Sequence, residues 1–296
     1  MEARKYWISE QSEIEKSTLA ILNEYLLSMK IENKAEATST KYRKMLERFL
    51  CECKVPVEEM TADIVHRWLL NYSVDKSPRT VELMLSILSS FFTFCLDEEY
   101  MEVVVIKSRW RPVIPESLPR FLNEQQYAQV KLAMEELSLR DRALVLFLFS
   151  SGCRRSEASY LKLEDLDRKK RTAKVVGKGR KIRYIHFSEQ CAFALDNYLQ
   201  SRKESDCEYV FLNKFGERLS DQRIYKITTK LGKKVGLLQP LNPHSCRHTF
   251  ATLMLARGAD LEFIADELGH ANLNTTRVYA RIPGEDIMLA YQNKMG

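Results

Sequence analysis

The sequence predicts a mainly α protein of two domains, an N-terminal helical bundle followed by a mostly helical domain with one small antiparallel β-sheet. Three observations predict it. Helical stripes of apolar residues fill the first hundred positions, and three prolines then interrupt the pattern between 103 and 121. Two short β-like runs joined by a glycine turn stand inside an otherwise helical second half. A chain of 296 residues has room for two compact domains. Its 45% hydrophobic and 29% charged residues suit a globular chain.

Ile14, Leu19, Leu22 and Leu26 recur at helical spacing, as do Tyr42, Leu46, Phe49 and Leu50. Thr61 is placed to cap a helix carrying Ile64, Trp68 and Leu69. Ser77 followed by Pro78 is a cap with proline at the first helical position, opening a run through Val81, Met84, Leu88, Phe91, Phe92 and Cys95. Four helices with short connections predict a bundle over 1–106, with the aromatics from Phe91 to Phe94 in its core. The stretch VVVIKSRWRPVIPESLPRF reads as an extended linker over 107–120, because proline removes a donor and blocks helix. Its Lys107, Arg109, Arg111 and Arg120 suit either phosphate contact or plain solvation. The second domain, 121–296, opens on Asn123 with Gln126 in capping-box spacing, and Ala143 to Phe149 form a strongly apolar helix. TAKVV (172–176) and IRYIHF (182–187) are the strand candidates, joined by the hairpin GKGRK. Gly258 and Gly269 fall where helices should end.

Seven cysteines (51, 53, 95, 153, 191, 207 and 246) show no CxxC pair, which argues for reduced thiols without a disulfide framework or zinc site. No apolar run reads as a membrane span, and the charged N-terminal stretch has no signal-peptide core, so a cytoplasmic protein is expected. Residues 1–110 hold 15 Lys and Arg against 18 Asp and Glu, a balance of −3, whereas the remainder holds 31 against 22, or +9. The concentration of basic charge in the second domain suits a polyanionic partner, though a solvated basic surface gives the same count.

Four cation-bearing clusters lie in that domain: Arg154 in SSGCRRSEASYL, Lys178 in VVGKGRKIR, His244 with Arg247 in NPHSCRHTF, and His270 in DELGHANLNTTRVYAR. Tyr279 follows His270 on a short segment that Asn274 or Thr275 is suited to cap. Carboxylate pairs suited to Mg²⁺ are not evident, so no metal and no cofactor is expected. Phosphoryl transfer without a metal sets definite demands. Arginine forks must match the charged non-bridging oxygens. A lysine on a hairpin tip can protonate the leaving oxygen, neutral histidine titrates in the range a base requires, and a tyrosine hydroxyl can attack and form a covalent intermediate. These clusters meet each demand.

In order and spacing, GCRRSE, GKG, HSCRH, LGH and TTRVY resemble the motifs of the tyrosine recombinase, or phage integrase, family. The resemblance covers the second domain and extends more weakly to the helical first domain, which is similar to the family's core-binding domain. It implies that Arg154 and Arg247 clamp a scissile phosphate and that Lys178 is general acid toward the 5′-oxygen. By the same resemblance His244 is general base or proton manager, His270 bonds a phosphate oxygen, Glu157 supports its neighbours, and Tyr279 attacks to leave a 3′-phosphotyrosyl link. Each position has a competitor: Arg155 for Arg154, Lys174 and Lys181 for Lys178, and Tyr160, Tyr184 and Tyr291 for Tyr279. His248 is expected to pack or hydrogen-bond structurally, and His66 and His186 have no assigned role.

The resemblance also implies partners and assembly. Double-stranded DNA carrying a specific recombination site is the expected substrate, gripped in the first domain by exposed Lys41, Arg43, Lys44, Arg48 and Arg79. Exchange between two duplexes breaks four strands, so a homotetramer on synapsed DNA is expected, with a second recombinase as an alternative partner. Ile287, Met288, Leu289 and Tyr291 in the tail are expected to dock on a neighbouring copy or fold back. The chain is expected to stand near simple Xer-type or transposon-type recombinases, without an arm-binding domain. VVVIKSRWRP stands where the family often has Asn-Pro. The rival readings are a DNA-binding regulator that has lost activity and a type IB topoisomerase.

Overall fold

Four α-helices, among the described residues, build the first of the two compact units into which the chain divides, Met1–Glu116 and Ser117–Gly296. The computed structural model describes residues 6–115, 119–202, 205–270 and 272–280, without the side chains of Lys178, Asn274 and Ala280. The expected tail contacts of Ile287, Met288, Leu289 and Tyr291 lie outside the described residues.

In the first unit α1 spans Lys16–Ile31, α2 Glu36–Cys53, α3 Ala62–Ser73 and α4 Pro78–Asp97. Thr61 and Ser77 cap α3 and α4 as their sequence positions predict, each accepting a backbone N–H three residues on. Ile14 enters the core from just before α1, and Leu22, Leu26, Leu46, Phe49, Phe91 and Phe92 fill its centre. Helix α4 is long and apolar enough to cross a membrane, contrary to the expectation that no run qualifies. Here its buried face, from Val81 to Cys95, forms part of this core. The start of the expected linker is folded: Ser108–Trp110 is a 3-10 turn, and the Trp110 indole stacks on His66 at 4.7 Å. One expected DNA-facing cation is turned inward. Arg43 is 17% exposed and donates to the Ile8 carbonyl at 2.7 Å, because the segment before α1 folds back over it. Lys41, Lys44, Arg48 and Arg79 are exposed.

The second unit is assembled around α6 (Leu139–Ser151), whose residues from Ala143 to Phe149 are all buried. A helix apolar all round belongs inside a protein. It follows α5 (Glu124–Met134), which Asn123 and Gln126 open as a capping box. Then come α7 (Arg155–Tyr160), the strands β1 (Leu166–Asp167), β2 (Thr172–Val176) and β3 (Ile182–His186), and α8 (Glu189–Ser201). The sheet is antiparallel in the order β1-β2-β3. Strand β1, two residues long, was not expected, since so short a run has no periodicity to read. Among the described residues four helices follow: α9 (Asp221–Lys234), α10 (Pro243–Ala256), α11 (Leu261–Leu268) and α12 (Asn274–Ala280). Because α12 already includes Asn274 and Thr275, both expected cap residues fall inside the helix and do not precede it.

The position of α10 depends on a close approach. Gly232 on α9 leaves no room for a side chain: a Cβ there would stand 2.5 Å from Leu241 Cβ and 3.0 Å from Leu241 N. Leu241 leads into Asn242, whose side chain accepts the N–H groups of His244 and Ser245 and so starts α10. Alanine in an exposed helix interior would gain about 1 kcal/mol over glycine. At position 232 overpacking costs about 1–3 kcal/mol instead, so Gly232→Ala should lower the thermal unfolding midpoint. A raised midpoint would show that the approach is not tight.

Candidate active site

Three helix ends meet in the second unit, and arginines tie them together. Gly152 ends α6 in the left-handed conformation, with φ 60°. A Cβ at this glycine would lie 2.5 Å from the Phe250 ring and 2.9 Å from Leu268, so α10 and α11 close directly on the turn. The Arg247 guanidinium, 3% exposed, donates to the Gly152 carbonyl at 2.8 Å and to the Leu268 carbonyl at 2.6 Å. Arg154 donates from Nη2 to the Gly269 carbonyl at 3.2 Å. Each carbonyl lies at or beside a helix C-terminus, where orphan acceptors and a partial negative charge favour a cation.

A single carboxylate organises these cations. Glu157, on the first turn of α7, has a side chain 1% exposed. It accepts four hydrogen bonds: from the Arg154 N–H (2.7 Å), Arg154 Nη1 (2.8 Å), Arg183 Nη1 (2.7 Å) and Arg183 Nη2 (2.9 Å). Burial acts to raise its pKa, but hydrogen bonds from Arg183 and Arg154 outweigh this and hold it below the ordinary range. Arg183 also donates to the Glu267 carbonyl. Sequence reasoning missed Arg183. Its signal was there, for it faces Val175 across the sheet and shares a strand face with buried Ile185 and Phe187. An arginine in that register requires a partner.

Of the sequence-predicted residues, Arg154, Glu157, Arg247, His244, His270 and Tyr279 come together. Lys178 begins the 3-10 turn Lys178–Arg180 at the hairpin tip, and its side chain lies outside the described residues. The adjacent Gly177 lies against the cluster: a Cβ there would stand 3.2 Å from Arg183 Nη1 and 3.4 Å from Glu157 Oε1. The competitors point elsewhere. Arg155 faces Asp221 at 3.5 Å, Lys174 pairs with Asp165 at 3.0 Å, and Tyr160 and Tyr184 are exposed. Lys181 is exposed on the hairpin, and Tyr291 lies outside the described residues.

His270 bonds through Nδ1 to Thr276, the second threonine of TTRVY, at 2.8 Å. One turn further along α12, Tyr279 is 1% exposed in a niche of Phe250, Ala251, Ile264 and Leu268. Its hydroxyl lies 2.7 Å from Nδ1 of His248. The hydrogen bond expected of His248 is therefore to the tyrosine itself. His244 stacks edge-on against His248, with ring centroids 4.3 Å apart, and is exposed.

The electrostatics of the cluster favour an anion. Burial, then neighbouring Arg154, pushes Arg247 down to about 10, so it stays charged at neutral pH. Burial first and neighbouring cations second push His270 and His248 down to about 4, and lower His244 in the same way. All three imidazoles are therefore neutral near pH 7. Burial raises Tyr279 to about 12, against a lesser pull from Arg247. Two thiols sit beside the arginines in sequence, Cys153 and Cys246. Both are buried, and burial pushes Cys153 up to about 12 and Cys246 higher still.

Between pH 6.5 and 4 the unfolded chain takes up protons at His248 and His270 that the folded chain refuses. Stability should therefore fall as pH falls through that window, and fall further below it as Glu157 is titrated. Melting temperatures at pH 7, 5.5 and 4.5 check this, and His270→Gln should flatten the decline. Breaking the buried pair with Arg183→Ala should destabilise the protein by about 3–5 kcal/mol. The double variant Arg183→Met with Glu157→Met should lose less than the two single losses added, and a strictly additive result in a double-mutant cycle would rule out the coupling.

Two family models match the chain: the phage integrase family over residues 120–284, and the phage integrase N-terminal SAM-like domain over residues 21–102. Tyrosine recombinase XerC of Thermodesulfovibrio yellowstonii is 33% identical over 262 residues, covering 84% of this chain and 87% of that protein. Tyrosine recombinase XerA of Pyrococcus horikoshii is 34% identical over 268 residues, covering 88% and 89%. A crystal structure of the XerH site-specific recombinase, bound to a palindromic difH substrate after cleavage, shares the fold with a TM-score of 0.74 at 22% identity, covering 96% of this chain and 91% of that one. With the model match spanning more than half its length, the chain belongs to the phage integrase family and is a tyrosine recombinase.

Proposed function

We propose that the chain is a site-specific recombinase that cuts and rejoins duplex DNA through a link between Tyr279 and a 3′-phosphate, passing through a Holliday junction. The reading rests on one observation. Arg154, Arg247 and His270 come from separate segments to one cationic cluster near Tyr279, and its buried carboxylate is already committed to four hydrogen bonds. Such a cluster suits a phosphodiester, whose non-bridging oxygens arginine donors match.

In this scheme Arg154 and Arg247 hold the phosphate, with His270 on one of its oxygens. The phenolic oxygen of Tyr279 bonds to phosphorus as the bond to the 5′-oxygen breaks. Lys178, next to Gly177 and its close approach to Glu157 and Arg183, protonates that leaving oxygen. The phosphotyrosyl ester keeps the energy of the broken bond, so a second 5′-hydroxyl can reverse the step without ATP. Each copy cuts one strand, so exchange between two duplexes requires a tetramer on DNA.

The test is covalent capture. Incubated in EDTA with a pool of nicked duplexes bearing randomised half-sites, the wild-type protein should form adducts that survive SDS, and sequencing them identifies the site. Tyr279→Phe should bind the selected duplex with unchanged affinity and form no adduct. A chain that binds its site and never forms an adduct would instead be a DNA-binding regulator.

A further inference from the structure

The tyrosine's immediate neighbour is not the histidine that the family resemblance points to. On α10, His244, Arg247 and His248 share a face, being three and four residues apart. Their contacts differ. His244 carries no hydrogen bond to Tyr279, whereas His248 approaches the phenolic oxygen at 2.7 Å with its ring tilted 59° to the tyrosine ring. The niche of Phe250, Ala251, Ile264 and Leu268 fixes the phenol ring and leaves its oxygen to His248.

The direction of this bond follows from the inventory of donors. A neutral imidazole carries one proton. Were it on Nδ1, the buried phenol would be an acceptor there and its own proton would have no partner among the described residues. With the imidazole proton on Nε2, the phenol donates to a bare Nδ1 and both groups are satisfied. His248 is therefore set to receive the very proton that attack must remove.

We propose that His248 is a catalytic residue of the cleavage step, its Nδ1 accepting the Tyr279 proton as the phenolic oxygen attacks phosphorus, while His244 is left free for the phosphate. The inference rests on the function proposed above. Its balance is complete. The bond from Oη to phosphorus forms, the bond from phosphorus to the 5′-oxygen breaks, and the phenol proton moves to Nδ1. Lys178 supplies the separate proton that the 5′-oxygen takes. On religation Nδ1 returns its proton to the phenol. The groups facing His248 are His244 and Arg247 on its own helix, Tyr279 on α12 and His270 after α11. Burial first, and these neighbours second, hold it neutral. A bound phosphodiester offsets their charge and makes Nδ1 a better base at the moment of attack.

The experiment uses the nicked duplex selected by covalent capture, under single turnover. His248→Ala should cleave about 10²–10⁴-fold more slowly than wild type at pH 7. Its rate should climb with pH up to 9.5 as solvent takes over the proton, so that the deficit narrows, while the wild-type rate stays level. His248→Asn keeps an acceptor near the Nδ1 position but cannot take the proton. It should retain DNA affinity and the melting temperature and show the same slow, pH-climbing cleavage, which covers the case in which His248→Ala folds poorly. If His248→Asn cleaves within about threefold of wild type, or its deficit is constant across pH, the proposal is overturned. The same pH-climbing rate in His244→Ala with a level one in His248→Asn would transfer the role to His244 and overturn it equally. An independent reading needs no DNA: ¹⁵N shifts of the His248 imidazole should show the proton on Nε2, and a proton on Nδ1 would sink the assignment. Absence of any wild-type adduct would instead count against the function proposed above, so the two failures are told apart.

Discussion

Burying a carboxylate is costly, and the second unit offsets that cost by surrounding Glu157 with donors. Two arginines and a backbone N–H supply four hydrogen bonds to one group, about as many as a carboxylate can accept. One donor is local, Arg154 at the start of the helix that carries Glu157, and the other, Arg183, arrives from the far strand of the hairpin. Neither segment can shift without leaving a buried charge short of partners, a loss far greater than that of an exposed ion pair. Glu157 therefore fixes the placing of Arg154 directly and that of the hairpin through Arg183. Arg247 is held independently, by two carbonyls at the ends of α6 and α11.

This framework uses up the negative charge available near the cluster and leaves positive charge in excess. The neighbouring imidazoles respond by giving up their protons, each being partly desolvated and beside a fixed guanidinium. Neutral imidazoles can accept as well as donate, which a cluster crowded with permanent cations otherwise lacks. Arginine supplies charge that does not vary with pH, and histidine supplies proton traffic. The two tasks are divided between residue types that alternate along α10.

The sequence made legible whatever local rules determine. Caps at Thr61, Ser77 and Asn123, the strands on either side of GKGRK and the turn glycines at 258 and 269 all follow from short-range chemistry, and the structure agrees. The gathering of Arg154, Glu157, Arg247, His270 and Tyr279 was anticipated through motif order, which stands in for tertiary contact. What stayed hidden depends on partners far away in the chain. Arg183 looks like any strand cation until Glu157 is placed beneath it. His248 looks like a structural histidine until α12 returns over α10 and brings Tyr279 to it. Arg43 reads as a surface cation because nothing local shows that residues before α1 will cover it. Strand β1 exists because β2 offers it an edge, and its two residues carry no pattern of their own.

The thiols of Cys153 and Cys246 have a bearing on chemical durability. Each adjoins an arginine of the cluster, where a cysteine near guanidinium groups would ordinarily ionise easily and become reactive. Here burial outweighs that influence, and the thiolate form is suppressed. Thiolates are the species that attack peroxides and disulfides, so suppressing the thiolate slows oxidation at these two positions. A protein with seven cysteines thus keeps two of them beside its arginine cluster in the form least reactive toward oxidants.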